Sequence, residues 1–583
     1  MKENTELAPL QTLPATLKSM WPFVKPEVRY LLSGGVLVLL NSAFNVAIPF
    51  LVGRIIDLAI VGKNPTLLLW SLGGMLLLFI GALLTNLGQI WMMGIASQRI
   101  LLRLRAEIFG HLQVLSLTYF QQHAAGDLTA RITNDTDKLN QLFSESLVRF
   151  TGSGMVVIGI GIVMVVLQPT LALTALGIAA VLLVFTVLVS PMVQRLNSTS
   201  LTRVGDLANQ LRDVLLNYKI VVSYNIRQFF KDQFTVVNND AYSAAVRSGV
   251  ANTFVIPLFD VAGNVAVLAV LGVGMWLLDQ RVISIGLLIT FLAYTDRFYQ
   301  PLRILASIWA NIQSSLAAWG RVNQVISEPA EIDGTLDSPQ TADGTQPLIE
   351  FKDVSFGYSP EKTVLHKTNL SFEVGKTYAL VGPTGGGKST FASLVSRLYR
   401  PTKGEILFVG KSLNDYHRVS LSSAIGFILQ EPVFFSGTLA DNLRYGNAEL
   451  ANHSDDELKL HLQKQGYAAV IEKFPEGLQT SLSATQPLSL GQRQLAAFLR
   501  AVLRQPLLLI LDEATANVDT ITEQLLQRLL DKLPKNTTKI VIAHRLQTIR
   551  EADQILFINQ GEVQPALSFE AAVNMVTHAR RKS

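Results

Sequence analysis

Apolar positions are unevenly distributed along the chain. Long uncharged runs fill residues 30–320, whereas 348–583 alternate short apolar strands with amphipathic helical stretches. A helix that crosses a bilayer needs about 20 mostly apolar residues. Six stretches meet that length: about 30–58, 66–96, 147–168, 170–192, 250–278 and 283–320, the last running past the membrane. Three of the connections between them are short: "VGKNPT", "LQPT" and "LDQR". The other two are long, polar and basic. Their apolar residues recur at three- and four-residue spacing ("ILLRLRAEIFGHLQVLSL"), which predicts that the membrane helices continue into the cytoplasm. The piece "HAAGDLTARITND" suits the first turn back, with Gly126 as breaker and Asp127 as N-cap; the second turn falls within 208–222.

Charge orients these spans. Arg99, Arg103, Arg105, Arg131 and Lys138 lie between spans two and three. Arg195, Arg203, Arg212, Lys219, Arg227 and Lys231 lie between four and five, and Lys18, Lys25 and Arg29 precede the first. Positive charge marks the cytoplasmic side. These three segments are therefore expected inside, with both termini. Near residue 320 the composition turns to Pro, Gly, Asp and Thr ("SEPAEIDGTLDSPQTADGTQP"), which reads as a linker. The expected organisation is a membrane domain over 1–325, a linker over 326–347 and a soluble α/β domain over 348–583.

Composition adds limits. Of 583 residues, 49% are hydrophobic and 16% charged, and the mean hydropathy is +0.33. The absence of Cys excludes disulfides and thiolate chemistry. The net charge of +5 is modest and sits mostly in the loops, so no nucleic-acid partner is expected. The start, "MKENTELAPLQTLP", has no apolar core with a cleavage site, so no signal peptide is read there.

The chemistry lies in the second half. The strand "TYALV" runs into Gly382, Pro383, Thr384, Gly385, Gly386, Gly387, Lys388, Ser389 and Thr390, followed by the helical "FASLVSRLY". This is G-x-x-x-x-G-K-S between a strand and a helix, the context a phosphate loop requires. The glycines let backbone N–H groups face phosphates, and the helix N-terminus adds positive potential. Lys388 would reach the β- and γ-phosphates, and the Ser389 hydroxyl would ligate Mg²⁺. In "PLLLILDEAT" a buried strand ends in Asp512 and Glu513. Asp512 is placed to hold Mg²⁺ and Glu513 to polarise the attacking water. "LSLGQRQLAAFLRAVL" opens a helix just before that strand, with Ser489, Gly491 and Gln492 at its start.

Taken in order, these motifs resemble the ATP-binding cassette (ABC) proteins, whose L-S-x-G-Q signature sets them apart among phosphate-loop ATPases. The resemblance implies further roles. Tyr358 in "SFGY" would stack on adenine. Gln430 in "FILQEPVFFSGT" would sense Mg²⁺ and touch the membrane domain. Asp519 in "ANVD" would follow the catalytic Glu513, and His544 in "VIAHRL" would contact the γ-phosphate. "YTDRFYQPL" near span six is similar to exporter-type sequences. Leu490 stands where the family usually has Gly, and Ala516 where Ser is common, a pattern compatible with one half of a heterodimer of unequal sites.

The implied fold is a membrane α-helical domain of six transmembrane helices with long cytoplasmic extensions, plus an α/β P-loop ATPase domain. The implied function is ATP-driven export or flipping of amphipathic molecules (lipids, drugs or peptides), with ATP and Mg²⁺ as cofactors. A second half-transporter, identical or different, would complete two ATP sites. Import of a metal chelate, or a weakly hydrolysing regulatory half, are the other readings. The expected location is a bacterial inner membrane. Candidate substrate contacts are the polar residues within spans: Asn41 and Asn45, Asn86 and Gln89, and Asp260 with Asn264. For Asp260 the competing reading is an ion pair between helices.

Overall fold

A computed structural model describes residues 13–61, 65–337, 339, 346–359, 361–482, 488–512, 520–543 and 549–582. The chain divides into two compact units. The first holds 1–113 and 125–328; the second holds 114–124 and 329–583.

In chain order the first helices are α1 (Leu13–Val24), α2 (Val28–Ile55), α3 (Pro65–Leu112), α4 (Leu117–Gln122), α5 (Ala125–Ala130), α6 (Thr136–Gln141), α7 (Leu147–Leu167), α8 (Pro169–Leu216), α9 (Tyr218–Ser223), α10 (Arg227–Asp279) and α11 (Ile285–Ser327). All but α4 belong to the first unit. Among the described residues, five continuous helical stretches are long and apolar enough to cross a membrane: Lys18–Leu58, Thr66–Leu112, Ala125–Leu167, Pro169–Leu216 and Arg227–Asp279. The sixth expected span corresponds to α11, which is 43 residues long but is not among those five. Asp296 and Arg297 interrupt its apolar run. Helices α3, α8 and α10 hold 48, 48 and 53 residues. At their rise these reach about 72–80 Å, more than twice a hydrocarbon core of about 30 Å. Each is longer than a bilayer crossing alone requires.

Small residues let the long helices approach closely. Ala172, Ala175 and Ala179 of α8 are buried against Phe291, Tyr294, Phe298 and Tyr299 of α11 in one core, and the Tyr299 hydroxyl donates to the Ala175 carbonyl at 2.9 Å. At the far end α2 crosses α11 where Gly53 meets Gly286; a Cβ on either would collide with the other's carbonyl. Asp57 follows α2 and accepts from the Ser284 hydroxyl and, at 2.8 Å, from the Gly286 N–H, so it caps α11. Glu27, buried before α2, is held by Arg103 at 3.0 Å and Arg99 at 3.6 Å on α3.

The turns differ in one detail from the expectation. The chain leaves α3 at Gln113, forms α4, and breaks again at His123–Ala124. Gly126 and Asp127 instead lie inside α5, where Asp127 pairs with Arg131 one turn on at 2.9 Å. That i,i+4 pair favours helix over a cap. The second turn begins at Asn217, inside the expected window, and ends at Asn225, whose φ of 52° suits an Asn.

Among its described residues the second unit has two sheets. One is antiparallel, in the order β2 (Leu365–Phe372), β1 (Ile349–Phe356), β4 (Lys403–Phe408), β5 (Lys411–Ser412). The other runs β10 (Glu562–Ala566), β9 (Gln554–Asn559), β3 (Thr377–Val381), β8 (Thr538–Ile542), β7 (Leu508–Asp512), β6 (Ile425–Ile428), and is parallel except at β10. Its inner strands are continuous apolar runs, as a sheet covered on both faces requires. The helices are α12 (Lys388–Val395), α13 (Arg418–Ala424), α14 (Leu439–Arg444), α15 (Asp455–Lys464), α16 (Ala468–Ile471), α17 (Leu490–Val502), α18 (Thr520–Asp531) and α19 (Phe569–Lys582). Phe351 of β1 stacks on Phe391 of α12, with ring centroids 4.7 Å apart, and so fixes the helix that follows the Gly-rich loop.

Residues 331–336, within the stretch that reads as linker, are seated on this unit. Glu331 is mostly buried, paired to Arg400 at 3.4 Å and to Arg418. Its N–H donates to the Val114 carbonyl at 2.8 Å. Arg397 donates to the Ile332 carbonyl, and Asp333 receives the Arg418 N–H at 2.9 Å. The N–H groups of Thr335 and Leu336 both reach the Asp415 carbonyl at 2.8 Å.

Candidate functional site

Strand β3 delivers the Gly-rich loop to the C-terminal end of the parallel sheet. Gly385 and Gly387 have φ of 80° and 111°, which other residues adopt only with strain. A side chain at Gly382 would collide with the Ile558 carbonyl, and one at Gly386 would stand 2.7 Å from it. The loop is thus pressed against the end of β9. The Gly561 N–H donates to the Gly386 carbonyl at 3.1 Å, and the Gly561 carbonyl accepts from the His366 N–H at 2.9 Å. Ile558 and Gly561 support the loop but escape a reading of sequence, because they lie some 170 residues away. No local signal marks them.

Lys388 opens α12 and is buried. Its Nζ donates to the carbonyls of Gly382 at 2.8 Å and Pro383 at 2.9 Å. The ammonium therefore curls over its own loop, where phosphate oxygens would compete for it. Ser389 and Thr390 follow in the first turn of α12. The Thr390 hydroxyl lies 3.1 Å from that of Tyr358, which joins the expected adenine-stacking ring to the loop helix. Tyr358 is exposed and packs edge-on against Phe356 and Tyr399. Burial pushes the Tyr399 phenol above its ordinary value, so it stays neutral beside the site.

Sheet register brings the carboxylate strand to the loop. Asp512 of β7 pairs with Ile542 of β8, and Ile542 pairs with Leu380 of β3. Asp512 is therefore level with the last residues of β3, two strand spacings or about 10 Å away across the sheet. Gln430 lies just beyond the end of β6 and is exposed. Ser389, Asp512 and Gln430 offer oxygen atoms at the same edge. A few protein oxygens with phosphate and water are what Mg²⁺ prefers. Glu513, Asp519 and His544 lie outside the described residues, as does Ala516.

The signature opens α17 through a capping box. Ser489 Oγ accepts from the Gln492 N–H at 3.2 Å, and Gln492 Oε1 accepts from the Ser489 N–H at 3.0 Å. Gln492 Nε2 donates to the Lys473 carbonyl at 2.8 Å. Both ends of the Gln492 side chain are thus occupied in its own chain. Ser489 is exposed at the helix N-terminus, and Gly491 is buried in its first turn. Among the membrane candidates, Asn41 Nδ2 donates to the Ala82 carbonyl at 2.8 Å and Asn45 Nδ2 to the Asn41 carbonyl at 2.9 Å. Gln89 donates to Asn86 at 2.8 Å on an exposed face. Asp260 is paired with Arg303 of α11 at 2.9 Å, and Asn264 is exposed.

Residues 31–302 match the family model "ABC transporter transmembrane region", and residues 365–516 match the family model "ABC transporter". The "ATP-dependent lipid A-core flippase" of Haemophilus influenzae is 31% identical over 94% of this chain and 93% of its own length. The "Fatty acid ABC transporter ATP-binding/permease protein" of Mycobacterium bovis is 32% identical over 88% of this chain and 79% of its own. The match to the ABC transporter model and the likeness to ABC transporter ATP-binding proteins make the chain an ATPase coupled to transport. The chain belongs to the ABC transporter family, with a membrane helical domain fused to one nucleotide-binding domain.

Proposed function

We propose that this chain is one half of an exporter or flippase of amphipathic molecules, built with six spans and driven by ATP at an interface between two cassettes. The observation that carries the reading is the register Asp512–Ile542–Leu380, which sets a carboxylate strand beside the Gly-rich loop. In this reading Lys388 and the N–H groups of residues 382–387 hold the phosphates. Ser389, Asp512 and Gln430 hold Mg²⁺, which neutralises phosphate charge when bound. Glu513 takes a proton from the attacking water, with His544 at the γ-phosphate and Asp519 in the loop between. Tyr358 and Thr390 border the base and phosphate sides.

The second half supplies Ser489 and Gly491 over the same nucleotide. Support comes from the exposed N-terminus of α17 and from the second inner turn. Tyr218, Ile220, Val222 and Tyr224 on and beside α9 are all exposed, whereas α4 belongs to the cassette unit of its own chain. An apolar turn left open in one chain fits the cassette of another. Clamping and release of ATP would then move the long inner helices and alternate access to the cavity. The cassette would face the cytoplasm, on the side marked by the basic segments. The two relatives named for lipids favour amphipathic cargo.

Inside-out vesicles test direction. ATP-dependent accumulation of a fluorescent phospholipid or amphiphile is expected, abolished by Glu513→Gln. ATP-driven loss of preloaded material would favour import instead. Binding of ATP with negligible turnover, even with a second half present, would favour the regulatory reading.

A further inference from the structure

Helix α11 carries two opposed faces. Phe291, Tyr294, Thr295, Phe298, Tyr299 and Leu302 are buried against its neighbours. On the other side, Ile289, Leu292, Asp296, Gln300, Arg303 and Ser307 recur at three- and four-residue spacing and form one stripe. Ile289 and Leu292 are half-buried; Asp296, Gln300 and Ser307 are exposed. Asp296 is eleven residues into the helix, about 16 Å from its outer end. That is near the middle of a hydrocarbon core of about 30 Å.

The charges along this region are not equally satisfied. Arg303 pairs with Asp260, and Arg297 turns to α2, where it donates to the Asn45 carbonyl at 3.2 Å. Among the described residues, Asp296 has no hydrogen-bond or ion-pair partner. A carboxyl group at this depth is costly unless it faces a wet cavity or meets an opposite charge. Lipid satisfies neither need.

We propose that Asp296 is the counter-charge for the cationic group of an amphipathic substrate. Ile289 and Leu292 take the apolar body toward the outer side, and Gln300 lies on the inner side. This deepens the exporter reading and rests on it, by naming a cationic amphiphile as the substrate class. The Asp260–Arg303 pair one to two turns inward is already neutralised, and so leaves Asp296 as the unmatched charge of the stripe.

The test compares two ions of nearly equal size and opposite sign, tetraphenylphosphonium and tetraphenylborate. Binding to the full chain in nanodiscs is measured by equilibrium dialysis, with ATP hydrolysis followed separately. The intact chain should prefer the phosphonium. Asp296→Asn should weaken phosphonium binding at least tenfold, about 1.4 kcal/mol, and Asp296→Glu should restore most of it. Retained borate binding by Asp296→Asn shows that the variant is folded. Equal phosphonium affinity in the intact chain and Asp296→Asn overturns the proposal, as does preference for borate or binding of neither ion. Loss of self-association by Asp296→Asn with unchanged phosphonium binding assigns the carboxylate to a second copy and also overturns it. Charge-selective binding without ATP hydrolysis would sink the transporter reading and keep the site. Hydrolysis without charge-selective binding would sink the site alone.

Discussion

The ammonium of Lys388 donates to the carbonyl of Gly382 across 2.8 Å, closing the loop it also helps to form. The Pro383 carbonyl is a further acceptor, and a nucleotide must compete with both. Charge-assisted bonds to phosphate are stronger than bonds to neutral carbonyls. Lys388→Met should therefore weaken ATP binding by about 10- to 100-fold, at roughly 1.5–3 kcal/mol for a bond to a charged group. Fluorescent-nucleotide titration measures it; unchanged affinity would remove Lys388 from the phosphates.

Arg321 on α11 holds Asp135 with two bonds, at 2.8 and 2.5 Å. Asp135 is buried, while Arg321 is 41% exposed on its side chain. Removing a carboxylate from a buried pair strands its partner, but partial exposure of Arg321 reduces the cost. Asp135→Ala should destabilise the membrane unit by about 2 kcal/mol. Glu145→Ala, from the exposed pair with Arg149, should change little. Thermal unfolding of the two variants in one detergent compares them directly.

Gly334 lies against the backbone of Asp415, so an added Cβ would collide with its carbonyl. Gly334→Ala should lift residues 331–336 from the cassette and cost about 1–3 kcal/mol by overpacking. Faster hydrogen exchange at Thr335 and Leu336, whose N–H groups reach Asp415, is the expected readout.

Asp441 caps α14 in a capping box with Thr438. The Thr438 backbone N–H, then its hydroxyl, hold the Asp441 carboxyl below its ordinary value of 3.8. A depressed folded value means that the unfolded chain takes up the proton first. The contribution is therefore full above the unfolded value near 3.8 and lost as pH falls through the lower folded one. Its size is below about 1 kcal/mol, given the exposed side chain. Protection of the α14 amides should fall with acid in the intact chain and vary less in Asp441→Asn, with intrinsic exchange rates normalised.

Local patterns were legible in the sequence; distant partnerships were not. The Gly-rich loop announces itself because strand, glycines and helix are contiguous. The continuous run Leu507–Leu511 likewise marks a buried strand before Asp512. Residues 331–336 read as linker because the stretch around them, 326–347, is rich in Pro, Gly, Asp and Thr. Their order comes from Arg397, Arg400 and Arg418, more than 60 residues on. The partner of Asp260 is 43 residues away, so spacing alone left ion pair and substrate contact open. Asp296 stands in the run "YTDRFYQPL", but its place on the exposed face of α11 follows from packing and not from local spacing.

The clamp of one nucleotide between two chains is tested most directly by cross-linking. The chain has no Cys, so introduced thiols report alone. Thr384→Cys in one tagged copy and Leu490→Cys in another should form an inter-chain disulfide when ATP is bound under non-hydrolysing conditions, and little without it. No inter-chain disulfide under ATP, in pairs shown to associate, would contradict the account.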